Sequence, residues 1–325
     1  MSDVDATELA PGIHRVEIVA DDGKLHGYHV LDGATGPIVV DPGYTDAPTE
    51  VYRPFLRSRG QELADVDLAI VTHADADHFG GNHQLREHSP GVTIAIHRAD
   101  APLAESVDRI LDERYHMFED DHGLAYGDDV YDWLTGMMGP DEPIDIRLRG
   151  GESFRVGDRT VTTLHTPGHT RGHLMLYDEA NDVVVGADGF FGRGLFDVDG
   201  NYLQPPPYFL YPEYENTIRL VDSLDPETLS FTHYEVLRGD EIDAFVGESL
   251  DFVAEIETLA LDVVDEHGTV TLAEAIDAVV ERRGGFGLDD DLAFPLTAHY
   301  GDLVDRGVLA RTERDGAVAW TRAEE

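Results

Sequence analysis

Four short apolar runs in this chain each stop at a histidine or an aspartate. Leu68–Val71 leads into His73, Asp75, Asp77 and His78; residues 161–164 lead into the loop carrying His169; Val183–Ala187 is followed by Asp188; and residues 229–231 are followed, after Thr232, by His233. Apolar runs of this length, bounded by turn chemistry, read as buried strands. Strands that repeatedly end in ligand-type side chains call for a rigid sheet that collects those side chains on one edge.

The first run is the densest. His73, Asp75, Asp77 and His78 fall within six residues, spaced by the small Ala74 and Ala76, so a tight loop can turn several donors to one point. Gly80 and Gly81 then permit a sharp exit into a helix. The chain has no cysteine, which removes disulfides and thiolates and leaves nitrogen and oxygen to hold any metal. His173, four residues after His169, reads as a structural hydrogen-bonding residue. Asp41, in Asp41-Pro42-Gly43, reads as a turn-initiating aspartate, and His116 and His122, which lack ligand spacing, read as surface histidines.

A length of 325 residues suggests two units, 1–240 and 241–325. The first alternates strands and turns: 13–19 and 25–31 around Asp21-Asp22-Gly23, a strand at 37–40, a helix over 49–59, then a helix over 81–88 and a strand at 92–96. Residues 99–138 break this rhythm with Leu103, Val107, Ile110 and Leu111 at helical spacing, followed by aromatics and methionines, and predict a helical insertion over one side of the site. Residues 201–214 hold three successive prolines among aromatics and predict a rigid wall at the ligand-bearing edge. Beyond 240 come a long amphipathic helix over 242–267 and a second over 271–283, with Thr271 and Glu274 as a capping box. A third covers 292–306, interrupted by Pro295, and a hairpin turns around Asp315-Gly316. Three helices and a hairpin resemble a winged helix.

Lysine and arginine total 23 against 66 acids, a formal charge of −43, and Lys24 is the one lysine. Such a surface repels nucleic-acid phosphates and anionic lipid in ordinary salt. It resembles the surfaces of proteins from salt-loving archaea, where molar salt shortens the screening length to about 3 Å. An apolar fraction of 42%, with dispersed acids, argues for a folded chain. The first six residues have neither a basic nor an apolar signal, and no run of about 18 apolar residues occurs, so a soluble, cytoplasmic protein is expected.

Together, His73, Asp77 and His78 in a His-x-Asp-x-Asp-His loop, His169 in Thr166-Pro-Gly-His-Thr170, Asp188 and His233 resemble the metallo-β-lactamase superfamily of metal-dependent hydrolases, including its glyoxalase-II-like members, over residues 10–240. The resemblance implies an α/β fold, the αββα four-layer metallo-β-lactamase sandwich. It also implies that His73 and His169 hold one metal, that Asp77, His78 and His233 hold a second, and that Asp188 bridges them. Asp75 is a departure, since the family usually has histidine there. A carboxylate hardens that site, so of the two divalent metal ions expected zinc comes first, with iron or manganese admitted by Asp75. The flavodiiron branch, with glutamate at this place and two irons, is a parallel.

The expected function is a metal-dependent hydrolase in which a metal-bound hydroxide cleaves a small ester, thioester or lactone, with Asp77 orienting the nucleophile's proton. The alternative is a metal-dependent nuclease, since RNA-cleaving relatives carry winged helices, but the third helix here begins Asp289-Asp-Asp. A diiron redox protein, resting on Asp75 alone, ranks last. The expected partner is a small-molecule substrate, with nucleic acid disfavoured, no membrane, and a homodimer as the oligomer to consider.

Overall fold

A computed structural model describes residues 5–20 and 23–324. The turn expected at Asp21 and Asp22 therefore lies outside the described residues. The first sheet contains β1 (Asp5–Ala10), β2 (Ile13–Val19), β3 (Leu25–Asp32), β4 (Pro37–Val40), β5 (Leu68–Val71), β6 (Thr93–His97) and β7 (Ile146–Leu148), paired in that order. Pairing is antiparallel as far as β4 and parallel from β4 to β7. The parallel strands are covered on both faces, which is why β4 and β5 are continuous apolar runs rather than alternating ones.

The second sheet contains β8 (Ser153–Val156), β9 (Arg159–His165), β10 (Leu174–Asp178) and β11 (Val183–Ala187). After a small ribbon of β12 (Leu195–Phe196) and β13 (Tyr202–Gln204), it is completed by β14 (Thr228–Phe231) and β15 (Leu237–Arg238), in the order β15-β14-β11-β10-β9-β8. Only β11 and β14 pair in parallel there, and the helix Glu213–Leu224 lies in the connection such a pair requires.

Three apolar layers fix the architecture. Ile38 and Ile70 of the first sheet meet Leu174 and Val185 of the second between the sheets. The opposite side of β5, Ala69 and Val71, packs under Leu56 and Leu85 of the helices Arg53–Ser58 and Asn82–His88. Val184, Leu229 and Phe231 pack under Ile218, Phe252 and Ile256 of the helices Glu213–Leu224 and Asp240–His267. The result is helices, sheet, sheet, helices.

The insertion is helical, from Ala101–Ala104 through Asp128–Met137. The C-terminal region has the helices Asp240–His267, Leu272–Arg283 and Ala293–Asp305, with a sheet of β16 (Val270–Thr271), β17 (Leu309–Arg314) and β18 (Ala317–Arg322). Thr271 and Glu274 form the expected capping box, each side chain accepting from the other's backbone N–H. Two expectations are corrected. Pro295 does not interrupt the last helix; it sits in the first turn, where its missing N–H has no intrahelical acceptor to lose. His122 is not a plain surface residue, because its ring stacks 5.4 Å from Trp320 of β18. Among the described residues no helix is long and apolar enough to cross a membrane.

Candidate metal centre

All seven expected donors are buried or nearly so and meet at one end of the two sheets. The loop after β5 supplies His73, Asp75, Asp77 and His78, and the loops after β9, β11 and β14 supply His169, Asp188 and His233. They form two clusters. In the first, His169 Nε2 lies 2.9 Å from Asp75 Oδ2 and 3.1 Å from His73 Nε2, and His73 Nε2 lies 3.5 Å from the same carboxylate oxygen. In the second, Asp188 Oδ2 lies 3.4 Å from His78 Nε2 and 3.2 Å from His233 Nε2, and Asp77 Oδ2 lies 3.4 Å from His233 Nε2.

Hydrogen bonds on the far side of each ring decide which nitrogen faces inward. His169 Nδ1 donates to the carbonyl of Pro207 at 2.9 Å, and His233 Nδ1 donates to that of Leu25 at 2.8 Å, acceptors that require the proton on Nδ1. His78 Nδ1 donates to Asp41 Oδ2 at 3.0 Å. Thr72 Oγ1 gives its own proton to Asp41, so His73 Nδ1 donates to Thr72 Oγ1 at 3.0 Å. Four imidazoles thus commit Nδ1–H outward and turn Nε2 toward the carboxylates, the arrangement that prepares histidine as a metal ligand.

Several observations show that these residues fit cations. Burial keeps His169 below its ordinary pKa despite Asp75, so its inward Nε2 is a lone pair facing a carboxylate oxygen and a second imidazole. Asp188 Oδ1 is buried without any hydrogen-bond partner, a costly condition that a bound cation relieves, and His78 Nε2 has only its 3.4 Å approach to Asp188 Oδ2. Burial disfavours charge on His78, but Asp188, Asp77 and Asp41 prevail and raise its pKa. Burial would raise the carboxyls of Asp75, Asp77 and Asp188. Arg114 with His169 and His73 for the first, His78 and His233 for the second, and His233 and His78 for the third outweigh it and hold all three ionised. Burial disfavours charge on His233, but Asp188 and Asp77 prevail and push it up to about 9, so a metal entering here displaces a proton.

His173, expected to be structural, is so. Burial and the neighbouring His73 hold it neutral, its Nδ1 bonds Thr166 Oγ1 at 2.9 Å, and its Nε2 accepts from the Asp188 backbone N–H at 3.2 Å. Asp41 is corrected. It is not an ordinary turn aspartate but a buried one with φ of 58°, accepting from Thr72 N–H at 2.6 Å as well as from Thr72 Oγ1 and His78.

Other contributors went unread in the sequence. Arg114 of the insertion is buried, grips Asp75 with two bonds of 2.8 and 2.9 Å, donates to the His169 carbonyl, and lies 5.2 and 5.1 Å from the rings of Phe209 and Phe294. His26 on β3 is buried with Nδ1 3.8 Å from Asp77 Oδ2, forming a further candidate group with Asp77 and His233. Arg15, fully buried, bonds Ser230 Oγ and the Tyr234 carbonyl on either side of His233; any Cβ at Gly27 would lie 2.0 Å from its guanidinium.

The clusters open into a cavity walled by the insertion, the proline-rich segment and the C-terminal region, with Trp133, Pro207 and Phe294 among its lining residues. The prolines therefore do form part of a wall, while the neighbouring Tyr208 packs inward and bonds His299 of the last helix at 2.8 Å.

Residues 28–233 match the profile of the family described as the metallo-beta-lactamase superfamily. The chain is 24% identical over 212 residues to a Homo sapiens protein named acyl-coenzyme A thioesterase MBLAC2, covering 63% of this chain and 70% of that one. It is 28% identical over 177 residues to a hydroxyacylglutathione hydrolase of Rhodopseudomonas palustris, covering 54% and 52%. Among solved structures, a metallo-beta-lactamase family protein from Thermus thermophilus superposes with a TM-score of 0.72 at 19% identity, over 97% of this chain and 100% of that one. A beta-lactamase domain protein from Burkholderia ambifaria superposes with 0.75 at 19% identity, over 99% and 94%. At that identity the likeness concerns the fold, and its coverage extends through the C-terminal helices.

Proposed function

This chain belongs to the metallo-β-lactamase superfamily of metal-dependent hydrolases, and from that premise we propose that it hydrolyses a small thioester, with esters and lactones as related targets, at two divalent metal ions. His73, Asp75 and His169 would hold one ion, Asp77, His78 and His233 the other, and Asp188 both. Zinc is the first candidate, and the carboxylate of Asp75 admits iron or manganese. Ions bound there supply Lewis acidity and bring the pKa of water down towards about 7. Asp77, kept ionised by His78 and His233, accepts and orients a proton of the attacking water. His173 is committed to Thr166 and the Asp188 backbone and takes no proton from substrate.

The observation that carries this reading is the convergence of imidazole Nε2 atoms on ionised carboxylates beneath an apolar-walled cavity. The relatives named as a thioesterase and as a hydroxyacylglutathione hydrolase favour thioesters among the candidate bonds. We assign residues 241–325 a winged-helix-like topology and a structural place against the catalytic unit. The helix that would enter a nucleic-acid groove buries Phe294, Leu296 and Tyr300, which disfavours the nuclease alternative.

The test is a panel of thioester, ester, lactone and RNA substrates, run on metal-loaded protein in high salt because of the charge of −43. Thioester hydrolysis should vanish on chelation and return with added divalent metal. Undiminished hydrolysis by chelated protein, or cleavage of RNA alone, would overturn the reading.

A further inference from the structure

The cavity above the donors offers ≈ 100 Å³. A cavity of about 150 Å³ admits benzene, so this volume seats a short acyl group. Its walls are largely apolar, with Trp133, Leu134 and Met137 from the insertion, Leu195 from the ribbon, and Leu288 and Phe294 from the C-terminal region. Besides the donors, Lys24, Arg114, Tyr115 and Gln204 also line the cavity, together with one hydrogen-bonded polar pair. Tyr126 of the insertion donates its hydroxyl to Asp291 Oδ1 at 2.5 Å, and both residues line the cavity. Asp291 stands on the short turn Asp289–Leu292 that precedes the last helix, so this lining carboxyl comes from outside the donor-bearing sheets.

Tyr126 engages one oxygen of Asp291 and leaves the other for a ligand. Burial pushes this carboxyl up to about 6, against the bond from Tyr126 and the charge of Lys24, so near neutrality it is a strong hydrogen-bonding group in a desolvated place. The charges around it restrict the ligand. Lys24, whose ammonium lies 5.6 Å from the Trp133 ring, reaches this carboxyl electrostatically and answers its charge, while Asp291 itself disfavours an anion. A neutral donor suits the remaining lone pairs.

We propose that Tyr126 and Asp291 are the specificity element of this cavity, and that the preferred acyl group is short and carries a terminal hydroxyl or amide donor. The proposal rests on the hydrolase reading. A plain alkanoyl group of the same length would leave the buried carboxyl without its partner, and sites built to bond a substrate hydroxyl reject analogues lacking it far more strongly than apolar pockets reject a missing methylene.

The test compares 4-hydroxybutanoyl and butanoyl thioesters of N-acetylcysteamine on metal-loaded protein, together with calorimetric titration of 4-hydroxybutanoate and butanoate, which needs no turnover. The wild type should prefer the hydroxylated thioester in kcat/KM by at least about tenfold. Asp291→Leu should bring that ratio to near unity and Tyr126→Phe should reduce it, with circular dichroism and elemental analysis showing folded protein of unchanged metal content. If Asp291→Leu does not fold, Tyr126→Phe decides. A wild-type ratio near unity, or one retained in the folded variants, overturns the proposal. If neither thioester is hydrolysed, the ratio of the two acid affinities decides this proposal by itself, and the substrate panel decides the hydrolase reading separately.

Discussion

Each donor histidine at the sheet edge is fixed by a partner on its own far side, whereas the cavity wall is fixed by side chains from segments far apart in the chain. His169 leans on Pro207, His233 on Leu25, His78 on Asp41 and His73 on Thr72. The wall instead depends on meetings such as Tyr126 with Asp291 and Phe118 with Phe294, between the insertion and the C-terminal region. Donors set on strand ends keep their geometry when their surroundings change. A wall assembled from insertions can be altered in shape and polarity without moving a donor.

The largest effect should come from Asp188→Ala, which strikes the edge at the carboxylate shared by His78 and His233. Elemental analysis should show loss of both metals, and hydrolysis should be abolished. Retention of two metals per chain would break the picture of a single shared edge.

Arg114→Met tests the junction where wall and edge meet. The guanidinium neutralises Asp75 and lies beside Phe209 and Phe294, so its loss leaves a buried carboxylate unpaired. In chelated protein the variant should lose about 3–5 kcal/mol in denaturant unfolding, and added metal should restore part of that loss. Equal stability of variant and wild type would mean that edge and wall are independent.

The same contrast explains what the sequence disclosed. The seven donors were readable because each lies a few residues beyond an apolar run, a local signal that needs no knowledge of pairing. Asp41 obeys the same rule, directly following Pro37–Val40, but the Asp-Pro-Gly turn signal overrode it. His26 was hidden because it lies within β3 rather than at the end of an apolar run, and Gly27 N–H bonding Thr232 O at 2.7 Å brings that strand to the His233 loop. Arg15 and Arg114 were hidden because a buried arginine and a solvated one look alike until the carboxylates and carbonyls around them are placed. The four-layer sandwich followed from the family resemblance, while the polar pair in the wall required a contact across the whole molecule.

The smallest of these effects, and the sharpest probe of the edge, is Asp41→Asn. Asp41 Oδ2 accepts from His78 Nδ1 and Thr72 Oγ1, and Oδ1 accepts from the Thr72 backbone N–H at 2.6 Å. An asparagine side chain keeps the size but replaces one acceptor with an NH₂ donor. Either the backbone of Thr72 or the ring of His78 then faces a donor. If His78 loses its acceptor, its neutral form favours the tautomer with the proton on Nε2, the atom a metal would take. Partners of this kind typically contribute 10- to 100-fold to metal affinity, about 1.4–2.7 kcal/mol, so competition with a chelator should show a loss in that range at one of the two sites while the fold persists. Thr72→Val, which removes the hydroxyl link to Asp41 and His73 but leaves the backbone bond, serves as a companion at the other cluster. An Asp41→Asn protein with unchanged affinity at both sites would mean that His78 is held by the edge as a whole, and that the partner behind each ring is not what fixes the donors.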